Sequence, residues 1–530
     1  MSPDTLNNLP APMPTPGQII ERNARFFPHR PALVYGDERL THAQLATRVA
    51  RLSAGLRSRG LARGERVAIL AMNGIEYLEV YGAAEWSGIV LVTVNWRLAA
   101  PEIEWILGDA SPRALVFDAQ YAALVDKLRP RLRGIECWIC IGDSAACPDW
   151  AEPYEAVMTA PAGPDATPEP GTDDPLCIIY TSGTTGRPKG VVQSHRAQAC
   201  LAETLASELR LGGDDRLLAI APLFHIGARS LASGASWRGG AVVIQRGFDA
   251  QAVLRCIAQE RITAIHLVPT MVQAILDAPD FAEHDLSSLR MLMYAAAPMP
   301  LPLLRRAMAA FGPILVNGYG QTEVNLPALL HPWQHQPDGA PEQVRRLASV
   351  GQAHPRSQLR IVADDGSDCP AGVPGEVLAR SDTAMSGYWN NPKATAQTLR
   401  DGWVHTGDIG YLDDEGYLFL VDRKKDMIIS GGENIYSREV EQALLEHPAV
   451  GDAAVIGVPD AHWGEAVMAV VVRKCGAQAD EAALIAHVRG LIASYKSPKS
   501  IVFVDALPML PTGKVSKREL RERFARARLP

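Results

Sequence analysis

The 530-residue sequence lacks the features that mark several specialised classes of protein. No apolar run reaches the roughly 18 residues that a membrane span needs, and the N-terminal segment has neither the basic nor the apolar region of a signal peptide. No block of Lys and Arg stands out, and the formal net charge is −7, so nothing indicates a nucleic-acid-binding surface. We therefore expect a cytoplasmic protein without an integral membrane segment or a nucleic-acid partner. The composition remains compatible with an enzyme that binds small anions.

The eight cysteines form no recognisable framework. Cys137 and Cys140 make a C-x-x-C pair, but they lie in the apolar stretch "CWICIG", which is typical of a buried strand. A second ligand pair at zinc-like spacing is missing, and Cys147 alone does not complete a site. We interpret the cysteines as structural thiols in a reducing compartment.

The chain does contain alternating helix and strand patterns. At 530 residues it is too long for one core, and roughly 100–200 residues per domain indicates about two to four units. Thr41 and Gln44 form a capping-box pattern at the start of an apolar-faced helix that ends near Gly60. The strand pattern "RVAIL" (66–70), a helix and the buried strand pattern "IVLVTVN" (89–95) follow. This order predicts a parallel, doubly wound sheet.

The rest of the chain changes pattern twice. A second α/β run covers about 176–316, and a polar loop is expected over 331–347. Short strands with glycine turns are expected over 350–422. The last ~100 residues predict a compact α+β unit.

One loop is unusually rich in small and hydroxylated residues. "YTSGTTGRPKG" (180–190) follows an apolar strand pattern. Its glycines let backbone N–H groups approach phosphate oxygens, its hydroxyls add donors, and its lysine adds a cation. It is not a Walker loop, because Pro188 precedes the lysine and a strand pattern follows. A Ser/Thr-rich turn is the alternative, but the combination favours phosphate binding by Thr181, Ser182, Gly183, Thr184, Thr185, Gly186 and Lys189.

This loop resembles the signature of the adenylate-forming superfamily, which comprises acyl-CoA synthetases, carrier-loading adenylation domains and beetle luciferases. Further motifs of that superfamily follow in the expected order: "PLFH" (222–225), "NGYGQTE" (317–323), "HTGD" (405–408), "DRKKDMIISGGENIY" (422–436) and "PTGK" (511–514). The resemblance implies an α/β fold with a large N-terminal domain of doubly wound sheets and a small β-barrel-like subdomain, then a small mobile α+β domain. The implied domains are 1–424 and 425–530, with the hinge at Lys425.

The resemblance also implies a reaction. A carboxylate acylates poorly, whereas its mixed anhydride with AMP has a good leaving group, so ATP is attacked at the α-phosphate and pyrophosphate leaves. Lys514 would bridge the carboxylate and the α-phosphate, Thr322 would donate to the α-phosphate, and Glu323 would bind Mg²⁺. ATP, Mg²⁺ and CoA are the implied cofactors and co-substrates. The alternative for Lys514 is an ordinary surface lysine.

Nucleotide contacts beyond the loop follow from the same resemblance. Tyr319 would stack on adenine, facing the backbone at Ala297 and Pro298, and Asp408 and Arg423 would contact the ribose. The full set outside the loop is Ala297, Pro298, Asn317, Gly318, Tyr319, Gly320, Asp408 and Arg423.

The acyl and thiol sites are assigned in the same way. The carboxylate that amino-acid-activating relatives use is absent at His225, which disfavours an amino acid as substrate. Phe224 and His225 would gate the acyl pocket, and a core histidine is the alternative for His225. Arg229 is expected to face solvent. The implied acyl-pocket residues are Tyr294, Ala295 and Ala296, and the implied CoA-channel residues are Gly431, Gly432 and Glu433.

The resulting hypothesis is an ATP-dependent acyl-CoA ligase for a medium- or long-chain fatty or aromatic acid. A stand-alone enzyme that loads the pantetheine arm of a carrier protein is the main alternative. A non-catalytic nucleotide-binding module and a luciferase-type oxidation are more remote. The sequence leaves a homodimer open.

Overall fold

Helices and strands alternate along most of the computed structural model. The residues described are 13–143, 145–159, 170–181, 187–297, 299–424, 426–430, 433–460, 463–510 and 514–525. The helices are α1 (Pro16–Phe26), α2 (His42–Ser58), α3 (Ile75–Ser87), α4 (Ala100–Ala110), α5 (Ala122–Leu128), α6 (Tyr154–Val157), α7 (His195–Glu208), α8 (Ile226–Trp237), α9 (Ala250–Glu260), α10 (Pro269–Leu276), α11 (Leu301–Phe311), α12 (Pro341–Arg346), α13 (Pro392–Thr398), α14 (Ser437–Leu445), α15 (Glu481–Leu491) and α16 (Lys517–Ala525).

The three longest described strands lie in the last third of the chain. They are β1 (Pro31–Tyr35), β2 (Glu38–Thr41), β3 (Arg66–Leu70), β4 (Val90–Thr93), β5 (Ala114–Asp118), β6 (Cys137–Ile141), β7 (Glu152–Pro153), β8 (Pro175–Thr181), β9 (Lys189–Ser194), β10 (Arg216–Ala219), β11 (Ala241–Ile244), β12 (Ala264–Leu267), β13 (Met291–Ala295), β14 (Leu315–Gln321), β15 (Asn325–Leu330), β16 (Gln352–Ala353), β17 (Ser357–Val362), β18 (Gly375–Ser381), β19 (Gly387–Tyr388), β20 (Leu399–Arg400), β21 (Trp403–Leu412), β22 (Leu418–Arg423), β23 (Ile428–Ser430), β24 (Glu433–Ile435), β25 (Val450–Asp460), β26 (Gly464–Arg473) and β27 (Ser500–Phe503).

The chain forms two units, which we call the N-terminal unit (residues 1–358 and 379–404) and the C-terminal unit (residues 359–378 and 405–530). Two mixed sheets lie in the N-terminal unit, with strand orders β19-β9-β8-β4-β3-β5-β6-β7 and β16-β15-β14-β13-β12-β10-β11-β1-β2. The strands at the centre of both sheets are parallel. Their side chains are buried on both faces, as expected for parallel strands covered by helices.

Helices cover both faces of each of these two sheets. One face of the first sheet packs against α2 and α3, and the other packs against α4 and α5. In the second sheet, α7 and α8 cover one face and α9, α10 and α11 cover the other. Residues of α8 belong to the cores of both sheets, since Ala228 packs with the first and Leu231 with the second.

A third sheet has the order β17-β18-β21-β20, with β22 paired to β21. The fourth sheet lies in the C-terminal unit, where β25 and β26 form a long antiparallel pair and β27 runs parallel to β26. Helices α14 and α15 cover one face of this sheet, and Leu520 of α16 packs on the other. The predicted fold class, including the α+β unit at the C-terminal end, is confirmed.

Most predicted elements are observed, but the predicted polar loop over 331–347 is partly wrong. It contains α12, which begins with Pro341 at its first position, where proline is favoured because its missing N–H has no intrahelical partner. The Gln343 side chain accepts a hydrogen bond from the backbone N–H of Ala340 at 2.8 Å. Val344 and Leu347 then pack on the core beside α11. Within the described chain, no helix combines the length and apolarity required to traverse a bilayer.

Candidate active site

Glu323 lies in the tight turn between β14 and β15. Gly320 permits this turn, because a Cβ there would lie 1.6 Å from the carbonyl oxygen of Asn325. Asn325 itself has a φ of +62°, a left-handed conformation that Asn tolerates better than most residues. The Glu323 carboxylate accepts a hydrogen bond from the Tyr388 hydroxyl at 2.8 Å. The turn and this phenol together fix the position of the carboxylate.

The backbone of Thr322 is held from β9. The buried amide of Gln193 donates to the Thr322 carbonyl oxygen at 2.7 Å and accepts from the Asn325 side chain at 3.2 Å. Asn325 also donates to the carbonyl oxygen of Thr383. Sequence reasoning missed Gln193 and Tyr388. A glutamine inside the apolar strand "VVQS" was the available signal, since a buried amide requires partners.

The two ends of the glycine-rich loop are adjacent in the sheet. Strands β8 and β9 pair antiparallel with Thr181 opposite Lys189, and residues 182–186 lie outside the described part of the chain. The Lys189 ammonium lies 4.8 Å from the centre of the Tyr388 ring, within cation–π range. Tyr388 therefore contacts both the predicted phosphate-binding lysine and the predicted metal ligand.

The Tyr388 phenol is suited to donate its proton to Glu323. Burial raises the pKa of Tyr388 well above its usual value, and the adjacent negative charge of Glu323 raises it further. The hydroxyl therefore stays protonated at neutral pH and remains a hydrogen-bond donor.

The donor set fits a magnesium ion shared with a substrate. No cluster of three or more His, Cys, Asp or Glu side chains that could hold a metal occurs among the described residues. Mg²⁺ is commonly bound through one or two carboxylates together with phosphate and water oxygens. Glu323, with the hydroxyl of Thr322 beside it in the chain, supplies such a ligand, and the assignment stays a prediction.

The strands that lead to the predicted adenine-binding residues are paired with each other. Strands β13 and β14 are parallel, with Ala295 opposite Gly318, and Tyr319 follows at the next position with its side chain largely buried. Gly318 leaves room for a neighbour, because a Cβ there would lie 2.1 Å from the Met293 methyl carbon. Asn317 donates to the carbonyl oxygen of Ser349 at 3.3 Å.

The end of β13 turns sharply where the adenine is predicted to bind. Ala296 has a φ of +71°, in the left-handed region, and Ala297 is exposed. Pro298 lies outside the described residues.

The predicted acyl gate lies at the N-terminal end of α8. Phe224 is buried and makes an edge-to-face contact with Trp96 at 6.4 Å between ring centres. The Thr93 hydroxyl donates to the Phe224 carbonyl oxygen at 3.1 Å. The half-buried His225 ring lies 4.4 Å from the Phe224 ring and precedes the first residue of α8. The packed Phe224 therefore positions His225, and the gating role of the pair stays a prediction.

Strand β13 separates the predicted acyl-pocket residues. Tyr294 packs with α11 residues on one face of the second sheet, and its hydroxyl is 2.9 Å from Nε2 of the buried His335. Ala295 packs on the opposite face, in the same cluster as Leu231 of α8. This alternation is the period of a strand. Ala295 is thus on the α8 side of the sheet and Tyr294 is on the other.

The expectation that Arg229 faces solvent is wrong. Arg229 is buried, and its guanidinium binds the carboxylate of Glu85 and the Ser233 hydroxyl. The same guanidinium lies 4.5 Å from the centre of the Tyr81 ring. Glu85 and Tyr81 belong to α3, so the contacts join two helices that are distant in sequence. A single arginine in an amphipathic pattern gives no indication of such a partner.

In the C-terminal unit, the two predicted ribose contacts are paired with each other. Asp408 of β21 lies opposite Arg423 of β22, and the Arg423 Nε is 2.7 Å from a carboxylate oxygen of Asp408. Asp408 is buried, whereas the Arg423 side chain is 40% exposed. The accessible side of this pair can therefore accept a polar ligand.

A second polar network connects β22 to α14 and α16. The Ser437 hydroxyl donates to Asp422 at 2.7 Å, and the Lys517 ammonium donates to that hydroxyl at 2.5 Å. Lys517 also pairs with Glu441 at 2.7 Å.

Lys514 is exposed and lies three residues before α16. Its carbonyl oxygen accepts from the Leu510 N–H at 2.6 Å, so the ends of the "PTGK" loop are held together. Glu433 begins β24. The predicted hinge Lys425 and the predicted channel glycines Gly431 and Gly432 lie outside the described residues.

Comparison with known proteins decides the family. Residues 20–389 match the model of the AMP-binding enzyme family, and residues 439–514 match that of the AMP-binding enzyme C-terminal domain. The chain belongs to the AMP-binding enzyme family. The predicted resemblance to the adenylate-forming superfamily is thereby confirmed. The predicted boundary between residues 424 and 425 falls between the two matched segments and stays a prediction.

Relatives in this family match over nearly their whole length. A feruloyl-CoA synthase from Amycolatopsis sp. is 40% identical over 95% of this chain and 98% of its own, and an indoleacetate–CoA ligase from Aromatoleum aromaticum is 39% identical over 96% and 98%. Among solved structures, the amide bond synthetase McbA from Marinactinospora thermotolerans is 32% identical with a TM-score of 0.87, over 96% of this chain and 100% of its own. A fatty acyl CoA synthetase from Mycobacterium tuberculosis is 35% identical with a TM-score of 0.77, over 97% and 99%.

Proposed function

We propose that this protein is an ATP-dependent acid–thiol ligase that converts a carboxylic acid to its acyl-AMP and then to its CoA thioester. The observation that carries the proposal is the group formed by Lys189, Tyr388 and Glu323. A cation at the end of the glycine-rich loop and a carboxylate suited to Mg²⁺ contact one buried ring. Enzymes that bind a nucleoside triphosphate with its metal use a cation for the phosphates and a carboxylate for the metal.

In the first half-reaction, a carboxylate oxygen of the acid forms a bond to the α-phosphorus of ATP, and the bond to the bridging oxygen breaks as pyrophosphate leaves. Negative charge increases on the phosphate oxygens, so pre-positioned donors and cations lower the barrier. We assign this role to Lys189, Thr322 and Lys514. Mg²⁺ bound by Glu323 would neutralise part of the triphosphate charge. The Gly320 turn and the Gln193 amide keep Thr322 and Glu323 in position.

In the second half-reaction, the CoA thiol loses its proton to solvent, its sulfur forms a bond to the acyl carbon, and the bond from that carbon to the AMP oxygen breaks as AMP leaves. We assign Asp408 and Arg423 to the ribose, and Gly431, Gly432 and Glu433 to the thiol channel. Lys425 is proposed as the hinge between the two reaction states.

We propose an aromatic or a medium- or long-chain fatty acid as substrate. The names of the relatives include aromatic and fatty acids alike. His225 replaces the carboxylate that would pair with the amine of an amino acid, and the aromatic surroundings of Phe224 and Trp96 suit an apolar acyl group.

The test is a panel of aromatic and fatty acids with ATP, Mg²⁺ and CoA, scored by pyrophosphate exchange, AMP release and thioester mass. We expect exchange with at least one acid, and thioester once CoA is added. Exchange without a thioester would favour a carrier-protein or amine acceptor instead. An absence of exchange across the panel would contradict the proposal.

Lys514→Ala separates the two half-reactions. We expect the variant to lose pyrophosphate exchange while retaining thioester formation from preformed acyl-AMP, because Lys514 is assigned to bridge the carboxylate and the α-phosphate in the first step only. Lys474→Ala removes an exposed lysine of the same unit and is the matched control. Equal loss of both half-reactions in Lys514→Ala would contradict the assignment.

A further inference from the structure

His266 of β12 has polar atoms that the fold does not use. Both ring nitrogens are shielded from solvent, and neither has a hydrogen-bond partner among the described residues. The residue as a whole is nevertheless partly exposed. Its accessible surface therefore lies away from the two ring nitrogens.

The His266 ring faces α8. Its neighbours Ile265 and Leu267 pack on the face of the second sheet covered by α9, α10 and α11. Ala264 packs on the opposite face, with α7 and α8. Because side chains alternate along a strand, His266 shares the face of Ala264.

The first turn of α8 leaves space beside this ring. A Cβ built on Gly227 would lie 3.8 Å from Cε1 of His266, and no other atom of the described residues outside its own stretch of α8 lies within 4 Å of it. Gly227 follows the gate residue His225 by two positions. The glycine thus leaves unfilled the volume that a side chain would occupy between α8 and the imidazole.

The same face also carries a predicted acyl-pocket residue. Strand β13 runs parallel to β12 with Met293 opposite His266, and Ala295, two residues further along β13, is on the α8 side. His266 therefore lies among the gate, the open turn of α8 and the alanine of the proposed acyl site.

The chemistry of the ring restricts what it can bind. Burial lowers the pKa of His266 to about 4, so the imidazole is uncharged at neutral pH. A neutral imidazole has one donor and one acceptor nitrogen and offers no charge to a second carboxylate. A hydroxyl group can satisfy either nitrogen because it both donates and accepts.

We propose that His266 is a specificity-determining residue of the acyl site, where it hydrogen-bonds a hydroxyl group carried by the acid. This inference rests on the proposed ligase function and narrows its substrate class to hydroxylated acids. An acid without the hydroxyl leaves the buried nitrogens unpaired, and a site of this kind discriminates against such an analogue more strongly than an apolar pocket does.

The test uses pairs of acids that differ by one hydroxyl, such as cinnamate with its 2-, 3- and 4-hydroxy forms, and fatty acids with their hydroxy forms. For the favoured pair we expect wild-type kcat/KM to be at least roughly tenfold higher for the hydroxylated acid. His266→Leu should reduce this ratio to about one. His195→Leu is the control, because His195 is also buried and its two ring nitrogens have no partner in the described part of the chain, but it begins α7.

A second substitution keeps the test valid should the leucine variant fail to fold. His266→Gln retains a donor and an acceptor in a different geometry, so the preference should fall without vanishing. A wild-type enzyme without any hydroxyl preference, or a preference unchanged by both substitutions, would overturn the inference while leaving the ligase proposal intact. Failure of every acid to give acyl-AMP would overturn the ligase proposal itself.

Discussion

Two ion pairs, one in each unit of the molecule, hold their charges in different ways. In the N-terminal unit, the ion pair of Glu85 and Arg229 is sealed, with side-chain exposures of 7% and 8%. In the C-terminal unit, Asp408 is similarly buried, but its partner Arg423 is 40% exposed. A sealed pair has no alternative partner, whereas a half-exposed pair can exchange its partner for water or a ligand at low cost. We infer that the first is structural and that the second is available for function.

Removing one member of the sealed pair should have the largest effect on stability. We expect Arg229→Met to lower the free energy of unfolding by about 3–5 kcal/mol, because Glu85 would remain buried without its partner. Denaturant unfolding followed by tryptophan fluorescence measures this change. Arg51→Met, on the exposed side of α2, is the control. A loss below about 1 kcal/mol would show that the pair is not sealed in solution.

Buried uncharged bases make the N-terminal unit sensitive to acid. Burial lowers the pKa of His335 to about 4, although a hydrogen bond to the His331 carbonyl opposes the shift. Between the unfolded value near 6.5 and this folded value, the unfolded chain binds more protons, so stability is full above pH 6.5 and falls as the pH drops towards 4. The loss is about 3 kcal/mol for one such histidine.

The pH dependence of unfolding in wild type and His335→Gln checks this expectation. The variant should lose part of the slope between pH 6.5 and 4. His29→Gln, at an exposed position, is the control. An identical slope in His335→Gln would contradict the assignment.

The half-exposed pair of Asp408 and Arg423 should contribute more to nucleotide binding than to the stability of the fold. We expect Arg423→Ala to change the free energy of unfolding by less than about 1 kcal/mol, and to raise KM for ATP about tenfold, which corresponds to about 1.4 kcal/mol. Steady-state kinetics with varied ATP provides the measurement. A large loss of stability with an unchanged KM would show that the pair of Asp408 and Arg423 is structural, contrary to our inference.

The smallest effect on stability is expected in the polar network of Asp422, Ser437 and Lys517. Ser437→Ala removes one hydroxyl between Asp422 and Lys517, and we expect a loss of about 1 kcal/mol, typical of a single hydrogen bond. Thermal unfolding measures it, and Ser437→Thr, which keeps the hydroxyl, is the control. Equal losses in both variants would point to packing as the cause.

Local patterns predicted the elements well. Strand β3 has the predicted limits, and the capping box of Thr41 and Gln44 is formed in both directions. In each case the signal lies within a few residues, as alternation, periodicity or a cap. Helix α12 was missed because its proline resembled a loop residue more than a helix start.

Contacts between distant segments were not predictable in this way. Tyr388 lies 65 residues from Glu323, and Glu85 lies 144 residues from Arg229. Neither contact produces a periodic pattern of residues that could be recognised in the sequence. The motifs placed Glu323 and Lys189 in a site, but only the fold shows that one phenol lies between them. Likewise, strand alternation separates Tyr294 from Ala295, although the two are adjacent in the motif.

The hydrogen bond from Tyr388 to Glu323 also bears on ion selectivity. A carboxylate with one oxygen engaged by a phenol binds an incoming cation most readily through its other oxygen. Single-oxygen attachment suits a small octahedral ion that retains its water shell, whereas calcium commonly chelates both oxygens of a carboxylate. An aromatic ring far along the chain would thus make the site discriminate between two divalent ions of equal charge.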